Sequence, residues 1–406
     1  MLEKIKIKNL SYEAIINFFI LLYAFCLPIS RAGISFATIL LMLFWILQAN
    51  FSKKFDEIKN SYFILTIFTF VAYSSLAVIW SDDKFFALEY VRKYYHFLLI
   101  PIIYTSLKKK NIDRVFLAFL FGMFVSVIFF YGVLLNIFTY EGTNSNSTSV
   151  FMNRIDYSIY IVLAIFIAIN QLIYSKCLNW KFFYGFASLV FTITLFLNGG
   201  RTGYFAFFVV LIILVLMNSR YKLIGLFNSI IAIVVIFLVA YNLSPVFKDR
   251  MIYLEKDIER MIIDGKFDQS FSMRIKMWEL GIKSSFKEPL LGNGIGDEIV
   301  HIKDEVEKYN LGRFVEKNTN FINYHNIFIH HWSQLGLVGL LLTILLFYYL
   351  YKLEFKKQIY KNLNTVFVTI CTLLFLQGIL AIPSSKIFFG FFASVFLTIS
   401  KIELNK

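Results

Sequence analysis

Stretches of about 20 mostly apolar residues recur along this chain from Tyr12 to Ser400, separated by short charged breaks. A helix of that length crosses the ~30 Å hydrocarbon core of a bilayer and satisfies its own backbone hydrogen bonds there. Spanning runs are predicted at 12–28, 33–49, 61–79, 94–107, 115–138, 157–174, 181–197, 203–217, 223–242, 326–350, 363–381 and 387–401. The expected fold class is an all-α integral membrane protein with about 12 transmembrane helices. Composition agrees: 58% of the 406 residues are hydrophobic and 19% aromatic. No part is left for a separate soluble domain.

The first run has a basic flank but no small-residue cleavage site, and another apolar run follows at once, so it reads as a first transmembrane helix rather than a signal peptide. The chain then divides into transmembrane helices over 1–242, one long hydrophilic loop over 243–325 and further transmembrane helices over 326–406. Within the loop, 246–263 and 271–287 carry apolar residues at mixed three and four spacing, the pattern of amphipathic helices on the membrane surface or over a cavity. Pro289 and the alternating Gly292, Gly294 and Gly296 break the second of these.

A formal charge of +14 invites a nucleic-acid reading, but its distribution argues for a membrane. The loops on one side, beginning with 1–11 and ending with 401–406, hold 20 Lys and Arg, and the short loops on the other hold 7. The positive-inside rule places both termini in the cytoplasm and residues 243–325 outside it. The 7 outer cations are Arg31, Lys84, Arg92, Lys93, Arg154, Arg201 and Lys386. Cys26, Cys177 and Cys371 are isolated, which suggests neither a disulfide framework nor a metal cluster.

Three constellations carry candidate chemistry. In YHNIFIHHWSQLGLVG, His325 and Asn326 open a helix at the outer face, and Gly336 and Gly339 follow nine residues later. A histidine there suits proton abstraction; the alternative is an interfacial side chain, with the glycines serving helix packing. His330 and His331 lack the four-residue spacing of a helical metal site. In LNGGRTGYF, Arg201 and Thr202 follow a Gly-rich turn and offer donors at a helix N-terminus, where an anion docks or where Arg201 simply anchors a hairpin. In RIKMW, Arg274 and Trp278 share one helix face, a pairing suited to a phosphate with an apolar tail or a sugar ring. Arg31, Arg92, Arg154 and Lys386 are either solvated interface charges or further lining of a cavity for a polyanionic headgroup.

The sequence His-Asn, nine residues, Gly-x-x-Gly at 325–339 resembles the signature of bacterial O-antigen ligases and the related O-antigen polymerases. Arg201 in GGRTG, Arg274 in RIKMW followed by PLLGNGIG, and the Trp-containing segment 76–95 fall in the order that family shows. The resemblance implies a GT-C-like fold in the bacterial inner membrane with a large, partly helical periplasmic loop. It implies transfer of a glycan from an undecaprenyl pyrophosphate donor to a lipid A-core acceptor sugar, inverting and metal-independent, with no cofactor and no nucleic-acid partner. His325 would be the general base, and Arg201, Arg274, Arg31 and Arg154 would bind the pyrophosphate. Asn326, Thr202, Trp278, Gly336 and Gly339 would support them. A polymerase or a protein O-oligosaccharyltransferase of the same superfamily would share this chemistry. A lipid or solute transporter is the reading from another class, but it predicts charges near helix middles, and few are present.

Overall fold

The computed structural model describes residues 11–140, 149–317, 319–373 and 383–404. Its helices are α1 (Tyr12–Cys26), α2 (Arg31–Leu47), α3 (Phe51–Lys59), α4 (Tyr62–Ala77), α5 (Lys84–Arg92), α6 (Leu99–Ser106), α7 (Ile112–Leu134), α8 (Arg154–Tyr174) and α9 (Leu178–Asn198). Then come α10 (Arg201–Asn218), α11 (Lys222–Leu243), α12 (Pro245–Ile263), α13 (Ser272–Ser285), α14 (Lys303–Lys308), α15 (Ile327–Tyr351), α16 (Gln358–Leu373) and α17 (Pro383–Leu404). Caps set many starts: the side chains of Ser11, Ser30, Ser61, Asn153 and Ser244 accept hydrogen bonds from first-turn amides.

Each of the twelve apolar runs contains helix. The expected 363–381 run is α16 as far as Leu373, and 374–381 lies outside the described residues. The 94–107 run is a 3-10 helix (Lys93–Leu98) leading into the short α6. Pro101 has no N–H to return to the Phe97 carbonyl, which fits the tighter winding before it. Among the described residues seven helices are long and apolar enough to cross a membrane, and α2 with α3 makes an eighth if that pair, bent by 114°, is one broken span. The apolar α1 and α4 are shorter, at 15 and 16 residues.

The span within α17 is 83% buried and that of α8 72%, whereas that of α11 is only 17% buried. The first two therefore form the centre of the bundle. Helix α11 instead exposes Leu223, Phe227, Ile230, Val234 and Leu238, an apolar band that water would not tolerate and lipid would.

The loop helices fall where the periodicity puts them, at α12 and α13. Of the two settings expected, on the membrane surface or over a cavity, α13 shows neither a bare surface nor an empty space beneath it. Met273, Met277 and Leu280 of α13 join Ile299, Ile302, Val306, Leu311, Ile322 and Tyr324 in a second hydrophobic core that reaches Ile329 of α15. The loop is thus a packed cap, welded to the start of α15. Gly281 makes the contact close, since a Cβ there would meet Ile329 Cγ2 at 2.6 Å.

Candidate active site

The His-Asn pair is shaped by the need to start α15. Asn326 is its N-cap, its side-chain oxygen accepting from the amides of Phe328 (3.1 Å) and Ile329 (3.3 Å). His325, just before the cap, has φ +53°, a left-handed conformation that costs a non-glycine residue about 1–2 kcal/mol. Its amide donates to Asn323 Oδ1 at 2.8 Å, which helps hold that turn. The imidazole is half-buried, and its Nδ1 is enclosed without a hydrogen-bond partner. Burial first, and the Arg274 charge second, push its pKa down to about 4. The ring is therefore neutral at physiological pH and free to accept a proton.

Gly336 does something other than helix packing. It has φ +63° and ψ −162°, a conformation nearly confined to glycine, and it breaks α15 into two segments. The loop after α13 fills the break. Asn293 N donates to Ser333 O (2.8 Å), Gly294 N to Gln334 O (3.1 Å), and Leu337 N to Pro289 O (2.8 Å). These bonds satisfy groups that the interrupted helix would leave bare. A Cβ on Gly336 would lie 2.1 Å from Leu290 O, and one on Gly292 2.4 Å from Gly336 N, so both positions require glycine. Gly339 admits the following turn beside Leu335 and the His331 carbonyl.

The same stitch buries Glu298. Its Oε1 accepts from Gln334 Nε2, its backbone carbonyl accepts from Tyr324 Oη and Ser284 Oγ (both 2.7 Å), and its Oε2 has no partner. Burial pushes its pKa up to about 8 despite the Gln334 bond. It is a neutral acid at pH 7.

Arg274, on the α13 face near His325, is half-buried with Nε lacking a partner, and one turn on Trp278 Nε1 also lacks one. Burial, then the Arg201 charge, lower the Arg274 pKa to about 10. Arg201 opens α10 with Nη1 buried and unpartnered, and Thr202 is buried beside it in the same turn. A Cβ on Gly200 or Gly203 would come within 2.6 Å of Ser158, so this turn lies directly against α8. There Asn198 Nδ2 donates to the carbonyl of Arg154, the first residue of α8, at 2.7 Å.

The charges of Arg154, Arg201 and Arg250 act on one another, and that of Arg274 acts on Arg201 and on His325. The carboxylate acting on Arg201 is Asp257, buried in α12 and already accepting from the amides of Phe271 (2.8 Å) and Ser272 (3.4 Å). Four guanidiniums facing one committed carboxylate leave a positive excess beside a neutral imidazole. Like charges are held together at a cost that an anion would offset.

The structure thus gathers His325, Arg201, Arg274 and Arg154 and adds Arg250. Nothing in the α12 sequence distinguishes Arg250 from Lys248, Lys256 or Arg260, so pattern reading passes over it. The other cations expected on the outer side go elsewhere. Arg31 lines a cavity of about 190 Å³ to which Arg154, Arg201 and Arg274 do not contribute. Arg92 forms an exposed ion pair with Glu89 (3.0 Å). Lys386 is no loop cation: it lies in α17, fully buried, with Nζ 4.4 Å from the Tyr94 ring centre and 4.9 Å from that of Tyr90. His330 and His331 have structural neighbours, Tyr90 Oη at 3.2 Å and Thr343 Oγ1 at 2.7 Å.

The fold is a helical membrane bundle with a packed loop domain, in which a histidine lies beside a group of arginines. Residues 186–344 match the O-antigen ligase family model. Arg201, Arg250, Arg274, His325, Gly336 and Gly339 fall inside the match, whereas Arg154 falls outside it. The chain is also 28% identical over 192 residues to an uncharacterized protein of Haemophilus influenzae. That alignment covers 45% of this chain and 44% of the relative, so the two correspond over less than half their lengths.

Proposed function

We propose that this protein is an O-antigen ligase that transfers a glycan from undecaprenyl pyrophosphate to a sugar of the lipid A core at the periplasmic face of the inner membrane. The observation that carries this reading is the meeting of His325 with the arginine group, with unpartnered polar atoms on His325, Arg274 and Arg201. The donor diphosphate would sit among Arg201, Arg274, Arg154 and Arg250, where guanidiniums give charge-assisted contacts. The acceptor hydroxyl attacks the anomeric carbon, the bond from that carbon to the pyrophosphate oxygen breaks, and undecaprenyl pyrophosphate leaves with both electrons. The hydroxyl proton passes to His325. Attack opposite the leaving group inverts the anomeric configuration.

The electrostatics also order the events. In the empty site the Arg274 charge weakens His325 as a base. A diphosphate paired with Arg274 removes that effect and adds negative charge nearby, so the imidazole becomes more basic once the donor is bound. The negative charge growing on the leaving diphosphate in the transition state is met by arginines already in place.

The test uses purified protein, lipid-linked glycan and lipid A-core. His325→Ala is expected to lower transfer by about 10²–10⁴-fold, the usual contribution of a general base, with donor binding retained. Near-normal transfer by that variant removes His325 from the role. A wild-type protein that extends lipid-linked glycans but leaves lipid A-core unmodified would instead be a polymerase.

A further inference from the structure

The cavity holding Arg31 is separate from the arginine site, yet the two share a wall. It lies between the α1–α2 turn, the 3-10 segment before α6 and the start of α8, and it is lined by Arg31, Ser35, Tyr95, His96, Phe151 and Tyr160 among others. Phe151 is three residues before Arg154, so the first turn of α8 presents Arg154 to the arginine group and its approach to this cavity. Among the described residues no carboxylate forms an ion pair with Arg31. Its charge does act on Tyr160 across the cavity. His96 brings a buried Nδ1 with no partner. A guanidinium, an imidazole, hydroxyls and three aromatic rings form a set of contacts suited to an oxyanion carried on a sugar ring. The volume of about 190 Å³ is below the ~300–1,000 Å³ of sites for drug-sized ligands, so it admits one ring rather than an oligosaccharide.

We propose that this cavity is an acceptor subsite for a phosphorylated sugar, with Arg31 pairing with the phosphate and Tyr95, Phe151 and Tyr160 flanking the ring. The assignment rests on the ligase reading for the word acceptor, but its binding claim stands apart from transfer. It also moves Arg31 away from the donor diphosphate. Two phosphate-bearing substrates would then meet cations on opposite sides of the first turn of α8.

The experiment measures binding of glucose 6-phosphate, glucose and inorganic phosphate to purified full-length protein in detergent. Wild type, Arg31→Ala, Tyr95→Ala and Arg201→Ala are compared. Glucose 6-phosphate is expected to bind wild type at least tenfold more tightly than either other probe. Arg31→Ala is expected to weaken it at least tenfold, Tyr95→Ala severalfold, and Arg201→Ala less than twofold. Retained affinity in Arg31→Ala, or loss in Arg201→Ala alone, overturns the proposal by placing the probe elsewhere. Equal affinity for inorganic phosphate overturns the sugar-ring assignment. If transfer to lipid A-core is absent while the Arg31-dependent binding is present, the ligase reading fails and this subsite stands.

Discussion

Replacing Gly336 by alanine probes the link between the sequence signature and the site. At φ +63° and ψ −162°, a non-glycine residue is strained by about 1–3 kcal/mol. The new Cβ would also lie 2.1 Å from Leu290 O and 2.3 Å from Leu290 C, both backbone atoms that move only with the loop. Shifting the loop loosens the three bonds that stitch 289–294 to the break, from Asn293, Gly294 and Leu337, each worth about 1 kcal/mol net. The expected destabilisation is about 3–6 kcal/mol. Because the stitched loop ties α13, which carries Arg274, to α15, which His325 precedes, transfer by whatever protein still folds is expected to fall by about 10²-fold, the effect of misplacing groups by ~1 Å. Gly265 is the control: its φ is also +63°, but nothing lies within 4 Å of its Cβ position. Gly265→Ala should therefore show backbone strain alone, about 1–2 kcal/mol. Thermal unfolding in detergent with a parallel transfer assay reads both effects. Equal unfolding temperatures for the two variants, with normal transfer by Gly336→Ala, would refute the argument that a stitched break positions the site.

Glu298→Gln is expected to stabilise the protein at alkaline pH and leave it unchanged near pH 4.5. The native carboxyl holds its proton up to about pH 8 and the unfolded one releases it near 4.5, so native stability falls as pH rises between these values, by up to about 5 kcal/mol; unfolding curves from pH 4.5 to 9 measure this, and parallel wild-type and variant profiles count against it. Arg274→Gln removes the smaller of the two causes that lower His325, burial being the larger, so the acid limb of kcat/KM should move upward from near pH 4 by the lesser part of the shift, and an unmoved limb would show that the two groups are not coupled. Asn326→Ala should cost about 1 kcal/mol through loss of the α15 cap while Asn326→Asp retains it; equal losses in both would mean the asparagine is kept for another reason.

Hydropathy placed helix in each of the twelve apolar runs, because lipid requires long apolar stretches between charged breaks, though among the described residues seven helices, or eight with the bent pair, are long and apolar enough to cross a membrane. It did not anticipate α3, which lies in a basic loop, turned 114° from α2. There Lys54 folds inward to donate to the Trp45 carbonyl (2.6 Å), leaving Phe55 exposed. His325 and Arg201 are legible because each stands next to a turn or cap signal, and Arg274 because it shares a helix face with Trp278. Arg250 is not, since an arginine on an amphipathic helix looks the same whether it faces solvent or a site. Buried Glu298 and Lys386 were hidden for the opposite reason: their burial comes from the α15 stitch and from the Tyr90 and Tyr94 rings, contacts between segments far apart in the chain. The glycines were legible as a pattern, but helix packing and helix breaking both call for small residues, and only the backbone geometry at Gly336 separates them.

A structure of the protein with undecaprenyl pyrophosphate bound tests the central claim most directly. The account places the diphosphate within hydrogen-bonding distance of Arg201 and Arg274, with the His325 ring open toward the sugar-bearing phosphate. A diphosphate seated instead against Arg31, or one that leaves Arg201 and Arg274 without contact, would contradict it.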